Sequence, residues 1–212
     1  MSDSLLRRGS LWRLTALGAA ILMLTGCAGS RLSGTGGRLE AETIASVAPN
    51  GVSARLVIPD FETALYRAEK GGDTSAFLAD VSLDDLLAGR VERGHLLHVE
   101  LLWEPKAGAT PMDDSATNVS VHYVIVVNGE LGVYSGAGFA QPSGRPGDDT
   151  FGLTIRDSTM RLIESTPGYV DQLGAFRLTG GLTMQRRDDD AARVQRTISQ
   201  IVTNALGKPM WI

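Results

Sequence analysis

The sequence predicts an α+β fold: a mainly antiparallel sheet, built as a meander or half-barrel, with one short helix and a C-terminal amphipathic helix packed on it. Three observations carry this. Apolar residues alternate with period two over 95–104, and a second strand-like apolar run follows over 118–127. Asn128-Gly129 separates two apolar runs by the two residues that a tight hairpin favours. Val194, Ile198, Ile201, Val202 and Ala205 recur at helical spacing near the C-terminus.

Taken in order, the folded part is expected to begin near Leu39. Val52–Ile58 and Phe61–Tyr66 read as strands, although Glu62–Lys70 is also compatible with a helix. Gly71-Gly72-Asp73 reads as a turn. Ser82 stands three residues before Asp85, the spacing of a helix N-cap and its reciprocal carboxylate. Gly89 falls where a C-cap glycine belongs, so Leu83–Ala88 is predicted as a short helix.

From His95 to Glu104, Leu97, Val99, Leu101 and Trp103 fall on one side. Leu96, His98, Glu100, Leu102 and Glu104 fall on the other, which predicts a half-buried strand. Asn118–Val127 and Glu130–Phe139 form the arms of the hairpin. A type I′ turn needs positive φ at both central residues, which Asn and Gly adopt at least cost. The register pairs Tyr123 with Tyr134 and Val124 with Val133. It also puts Gly132, Gly136 and Gly138 on the face of Val119, Val121 and Ile125. Glycine inside a strand marks a bend, a bulge or a close approach.

Further strands are predicted at Phe151–Arg156, Met160–Glu164 and Phe176–Gln185. Asp188, Asp189 and Asp190 suit the positive end of a helix dipole, and Gly207 and Pro209 suit its end. The helix should bury its apolar stripe on the sheet and leave Arg193, Arg196 and Gln200 wet.

The first 27 residues point to a location. Arg7, Arg8 and Arg13 precede the apolar run Leu14–Leu24, which ends in Leu24-Thr25-Gly26-Cys27. A basic segment, a short apolar core and a small-residue cleavage site make a secretory signal. Eleven residues fall well short of the roughly 20 that a membrane-spanning helix needs. The tetrapeptide resembles the lipobox of bacterial lipoprotein precursors. That resemblance covers residues 1–27 alone. It implies cleavage before Cys27, a diacylglycerol thioether on Cys27 and an amide-linked acyl chain such as palmitate on the new amino terminus. Two or more acyl chains hold a protein stably on a bilayer, whereas one holds it marginally.

The expected organisation is a signal peptide over 1–26, a lipid-anchored Gly/Ser-rich tether over 27–38, and one β-rich domain over 39–212. The resemblance implies residence in the bacterial cell envelope, at the outer membrane or the periplasmic face. Ala28 after the cysteine is compatible with outer-membrane sorting.

Composition narrows the function. Loss of residues 1–26 takes the formal charge from −4 to −6. No basic run follows the signal, so nucleic acid is not expected as a partner. Cys27 is the single cysteine. Once lipidated, it leaves no thiol for catalysis, for a disulfide or for a thiolate metal site.

No catalytic, cofactor or metal residue is assigned. His95 and His98 are three apart on a strand, hence on opposite faces. With His122 they are the only histidines, and no further ligand has useful spacing. No serine is flanked as in G-x-S-x-G, no phosphate-binding loop is matched, and no calcium-loop pattern occurs. Asp84-Asp85, Asp113-Asp114 and Asp148-Asp149 read as solvated turn residues.

Glu104–Thr117 is a long aperiodic connection, and Gln141–Thr150 is a second turn-rich one. Together they form a binding rim if they share one sheet end. The expected function is a non-enzymatic binding, assembly or structural lipoprotein, with a membrane and an envelope protein or apolar ligand as partners. The alternatives are a carrier of a lipid or other apolar ligand in a sheet-and-helix pocket, and a hydrolase using Ser135 or Ser143 with a distant histidine.

Overall fold

The computed structural model describes residues 36–58, 60–68, 73–105, 117–210 and 212. Cys27, the signal segment, most of the tether, Asp113-Asp114 and Gly71-Gly72 therefore lie outside the described residues. The fold is α+β, with nine strands in one sheet: β1 (Gly36–Thr43), β2 (Arg55–Ile58), β3 (Thr63–Ala68), β4 (Thr74–Ala79), β5 (Arg93–Leu101), β6 (Val119–Val127), β7 (Glu130–Ser143), β8 (Thr150–Ser165) and β9 (Phe176–Arg186). Helix α1 (Leu83–Leu87) joins β4 to β5, and α2 (Asp188–Leu206) follows β9. The first strand begins three residues before the expected boundary at Leu39.

The sheet closes on itself. β3 through β9 pair in sequence order from β3 to β8, and β8 pairs with β9. β9 then meets β3 in a short parallel contact, Leu65 with Gln185 and Tyr66 with Arg186. The same edge of β9 carries β1 over Gly36–Thr43, and β2 pairs with β1. Thus β3 and β4 complete the ring at one end. At the other end, where the β6–β7 hairpin turns, β1 and β2 stand in their place. Nothing among the described residues pairs β2 to β5, so that end keeps a slot.

Each face of the wall has its own core. Inside the ring lie Tyr66, Tyr123, Tyr134, Phe151 and Phe176, all fully buried, with Leu97, Val99 and Leu178. Outside, Leu65, Phe77, Leu96, Val124 and Val133 pack under α2 through Val194, Ile198 and Val202. Fully burying one such aliphatic side chain contributes about 1.5–3 kcal/mol.

The double burial explains two departures from the sequence reading. β4 is buried at all six positions, so it has no alternation and was not predicted. β5 was expected to be half-buried and is covered on both faces. It ends at Leu101, leaving Leu102 and Trp103 exposed.

Other expectations hold or shift locally. The hairpin has the expected register, Tyr123 opposite Tyr134 and Val124 opposite Val133. Asn128 and Gly129 have φ of 54° and 80°. Ser82 caps α1 by accepting the Asp85 amide at 3.2 Å. The two strands predicted at Phe151–Arg156 and Met160–Glu164 are one strand, β8, bent by a bulge between Ile155 and Ser158. A bulge inserts residues without a partner and so breaks the period-two pattern. The three glycines of β7 face the ring interior, opposite to the face under α2. A side chain at Gly132 would overlap the Tyr169 ring.

Ala205 was placed in the buried stripe of α2 and is exposed. Ala191 and Ser199 are buried instead. The chain after Gly207 folds back along the helix: the Ile212 amide donates to Ser199 Oγ at 3.1 Å, and Met210 donates to Thr203 Oγ1 at 3.1 Å.

Candidate functional site

The slot between β2 and β5 opens into a cleft of about 570 Å³, within the roughly 300–1,000 Å³ typical of ligand sites. Arg55 and Leu56 of β2, with Ala54 just before it, form one wall. His95, Ile125 and Val127 of β5 and β6 form the opposite wall, and the segment 168–173 closes the side. The lining is largely apolar. Val127 and Val170 at the mouth are 43% and 71% exposed.

The wall built by residues 166–174 is held by side-chain hydrogen bonds rather than by a sheet. Thr166 Oγ1 accepts the Leu131 amide at 2.9 Å, and Glu130 accepts the Gly168 amide at 3.1 Å. Asp171 Oδ1 accepts the Leu173 and Gly174 amides at 3.0 and 2.9 Å. It also accepts the Tyr134 phenol at 2.6 Å, and the Tyr169 hydroxyl lies 2.9 Å from that phenol. Burial pushes the Tyr134 and Tyr169 phenols above their ordinary pKa, so both stay protonated. The cleft is therefore formed before anything enters it.

His95 is the polar group of the opposite wall. Its Nδ1 lies 2.7 Å from the Tyr123 hydroxyl. Its backbone amide donates to Asp80 Oδ1 at 2.7 Å, and the second Asp80 oxygen lies 4.0 Å from Nε2. Burial lowers the imidazole pKa and outweighs the opposing pull of Asp80. The ring is thus neutral at pH 7, with donor and acceptor capacity and no charge.

His98 lies on the outer face, as period-two geometry requires, stacked on Phe77 at 4.5 Å. His122 is directly opposite it across β5 and β6, with ring centroids 6.2 Å apart. Neither ring nitrogen of His98 has a hydrogen-bond partner, and burial lowers its pKa to about 4. Among the described residues no group of three or more His, Cys, Asp or Glu is placed to hold a metal ion.

The hydrolase candidates separate. Ser135 sits opposite His122 in the register, but no hydrogen bond joins them among the described residues, and only burial perturbs His122. Ser143 pairs with Gly152 and has no histidine in its register. Asp84-Asp85 serves the start of α1, and Asp148 closes a turn by accepting the Arg145 amide at 2.9 Å.

Of the two long connections, the second is shorter than expected, because Gln141–Ser143 belong to β7 and Thr150 to β8, and it leaves the ring at the end away from the hairpin turn. Residues 106–116 lie outside the described residues. The segment 165–175, which builds the cleft wall, carries no periodic signal. Its signals were Thr166-Pro167-Gly168, a turn, and Asp171 two and three residues before the amides it accepts, an Asx turn. No family model, no curated protein and no solved structure matches the chain.

Proposed function

We propose that this protein is a lipid-anchored bacterial envelope lipoprotein whose domain is a non-enzymatic binding module, with the slot cleft as its binding site. The cleft carries the reading: it is preformed, mainly apolar and rimmed by exposed valines. Leu56, Ile125, Tyr169 and Leu173 of the cleft belong to or pack on the ring-interior core, in which Tyr66, Tyr123, Tyr134, Phe151 and Phe176 are fully buried. Among the described residues, neither Ser135 nor Ser143, the nucleophiles of the enzyme alternative, is hydrogen-bonded to a histidine. The anchor rests on the basic, apolar and small-residue pattern that ends at Cys27.

Eight residues lie between Cys27 and Gly36, where the first strand begins, at most about 30 Å of extended chain. β1 begins at the end of the ring away from the cleft.

Two measurements test the two halves of this reading. Cys27→Ser should leave an uncut precursor that takes up no fatty-acid analogue; continued labelling would overturn the anchor. An environment-sensitive apolar fluorophore should bind the parent at one saturable site, and Val127→Glu should weaken it at least tenfold while the fold survives, since Val127 is exposed. Equal binding by both proteins would overturn the cleft as the site.

A further inference from the structure

We infer that the occupant of the cleft is an extended peptide segment of a partner protein, added as a strand to the free edge of β2. This rests on the cleft being the binding site and goes further by naming what binds. β2 is hydrogen-bonded on one side only among the described residues.

The polarity of its free edge follows from the ladder. The Thr43 amide donates to Ala54 O at 2.9 Å, so Ala54 belongs to a bonded pair. In an antiparallel ladder bonded and non-bonded pairs alternate. Leu56 and Ile58, opposite Ala41 and Leu39, therefore face β1. Arg55 and Val57, opposite Glu42 and Glu40, turn their N–H and C=O groups away from it, into the slot.

At His95 the other side of the slot offers no free backbone group. The edge of β5 facing β2 is already satisfied at His95: its amide donates to Asp80 Oδ1, and its carbonyl accepts the Asp80 amide at 3.3 Å. At His95 the Asp80 carboxylate thus takes the place that a strand carbonyl would hold. A peptide entering the slot gains backbone bonds from β2 and side-chain contacts from the far wall.

Strand addition takes affinity from main-chain bonds and specificity from pockets for alternate side chains. Here alternate residues of the peptide would enter between Leu56, Ile125 and Leu173. The lining carries one cation and one anion: Arg55, paired with Glu40 at 2.6 Å, and Glu130, whose carboxylate accepts the Gly168 amide. The fitting segment is therefore apolar at every second position and uncharged between. The shortness of β2 and the charge of Arg55 are devices that keep an open edge from pairing indiscriminately. They restrict the site to a short segment that also fills the cleft.

The test uses the full chain in lipid nanodiscs and a phage library of random linear peptides. Peptides with apolar residues at alternate positions should be enriched. In synthetic copies of the best binder, N-methylation at one alternating set of residues should weaken binding roughly tenfold per methyl, the scale of one lost hydrogen bond, and the other set should tolerate it. Val57→Pro, which removes an edge amide at a position where β1 is not bonded, should weaken the same peptide similarly. The N-methyl scan leaves the protein unaltered and so decides the matter even if that variant folds poorly.

Absence of enrichment, indifference to N-methylation, or pairing of two copies of this chain through β2 in sedimentation would each overturn the inference. If the apolar fluorophore binds at Val127 while no peptide does, the cleft stands as a binding site and the strand-addition inference fails alone.

Discussion

Tyr134, in the middle of β7, donates its phenolic proton to Asp171 at 2.6 Å, 37 residues further along the chain. This bond ties the wall of the cleft to the ring core. Hydrogen bonds to charged groups contribute about 1.5–3 kcal/mol. Tyr134→Phe should cost an amount in that range and keep the fold. Asp171→Ala loses two amide bonds as well and should raise the exchange rates of the Leu173 and Gly174 amides selectively. Unchanged exchange at those two amides would show that the wall is held by other contacts.

Acid should weaken the domain through its histidines. His98 has a folded pKa of about 4 against an ordinary value of 6.5. The unfolded chain binds more protons between those values, so the stability contribution is fully present above pH 6.5 and is lost as the pH falls toward 4. The shift corresponds to about 3 kcal/mol. Burial lowers His95 and His122 in the same direction. Urea midpoints measured at pH 7 and pH 4.5 should differ less for His98→Phe than for the parent. Equal differences would assign the acid sensitivity elsewhere.

The hairpin turn depends on backbone freedom at Gly129, where φ is 80° and nothing surrounds the position where a Cβ would stand. Gly129→Val therefore costs conformational energy rather than a clash, about 1–3 kcal/mol. Gly129→Asn should cost less, because asparagine tolerates positive φ. Equal melting of the valine and asparagine variants would contradict this.

Helix α2 separates two substitutions that are seven residues apart. Ile198 is 1% exposed, so Ile198→Asp loses burial and strands a charge. The cost should be several kcal/mol, a large part of the 5–15 kcal/mol typical of a domain. Ala205→Asp, on the same face two turns further along and exposed, should stay within about 0.5 kcal/mol. Urea melts of both variants check the pair; equal shifts would mean that the helix is not docked as described.

The elements that could be read from sequence are those whose signal is local. Asn128-Gly129 specifies its own turn, and with a two-residue loop the turn specifies the Tyr123–Tyr134 register. Ser82 and Asp85 specify a cap. The helical period of Val194, Ile198 and Val202 specifies a face to bury. β4 escaped because residues buried on both sides carry no period. β8 was cut in two because a bulge interrupts a pattern without ending a strand. Ala205 was misplaced because the period of a helix does not say how far along it the sheet extends.

The site lay further out of reach. His95 could be assigned to one face of its strand and His98 to the other, and the structure agrees. Which face lines a cleft depends on which strand stands opposite. The amino-acid sequence by itself determined the meander, its turns and its helices, together with the signal-like segment that ends at Cys27. Only the tertiary structure decided that β9 closes the ring onto β3, that β1 and β2 replace β3 and β4 at one end, and that a slot remains beside β2. The reason is physical: turns and caps arise from the conformational preferences of neighbouring residues, whereas ring closure is a balance of non-local pairings. Gly36–Thr43 and Leu65-Tyr66 meet a single edge of β9 there, and no local pattern records that they share it.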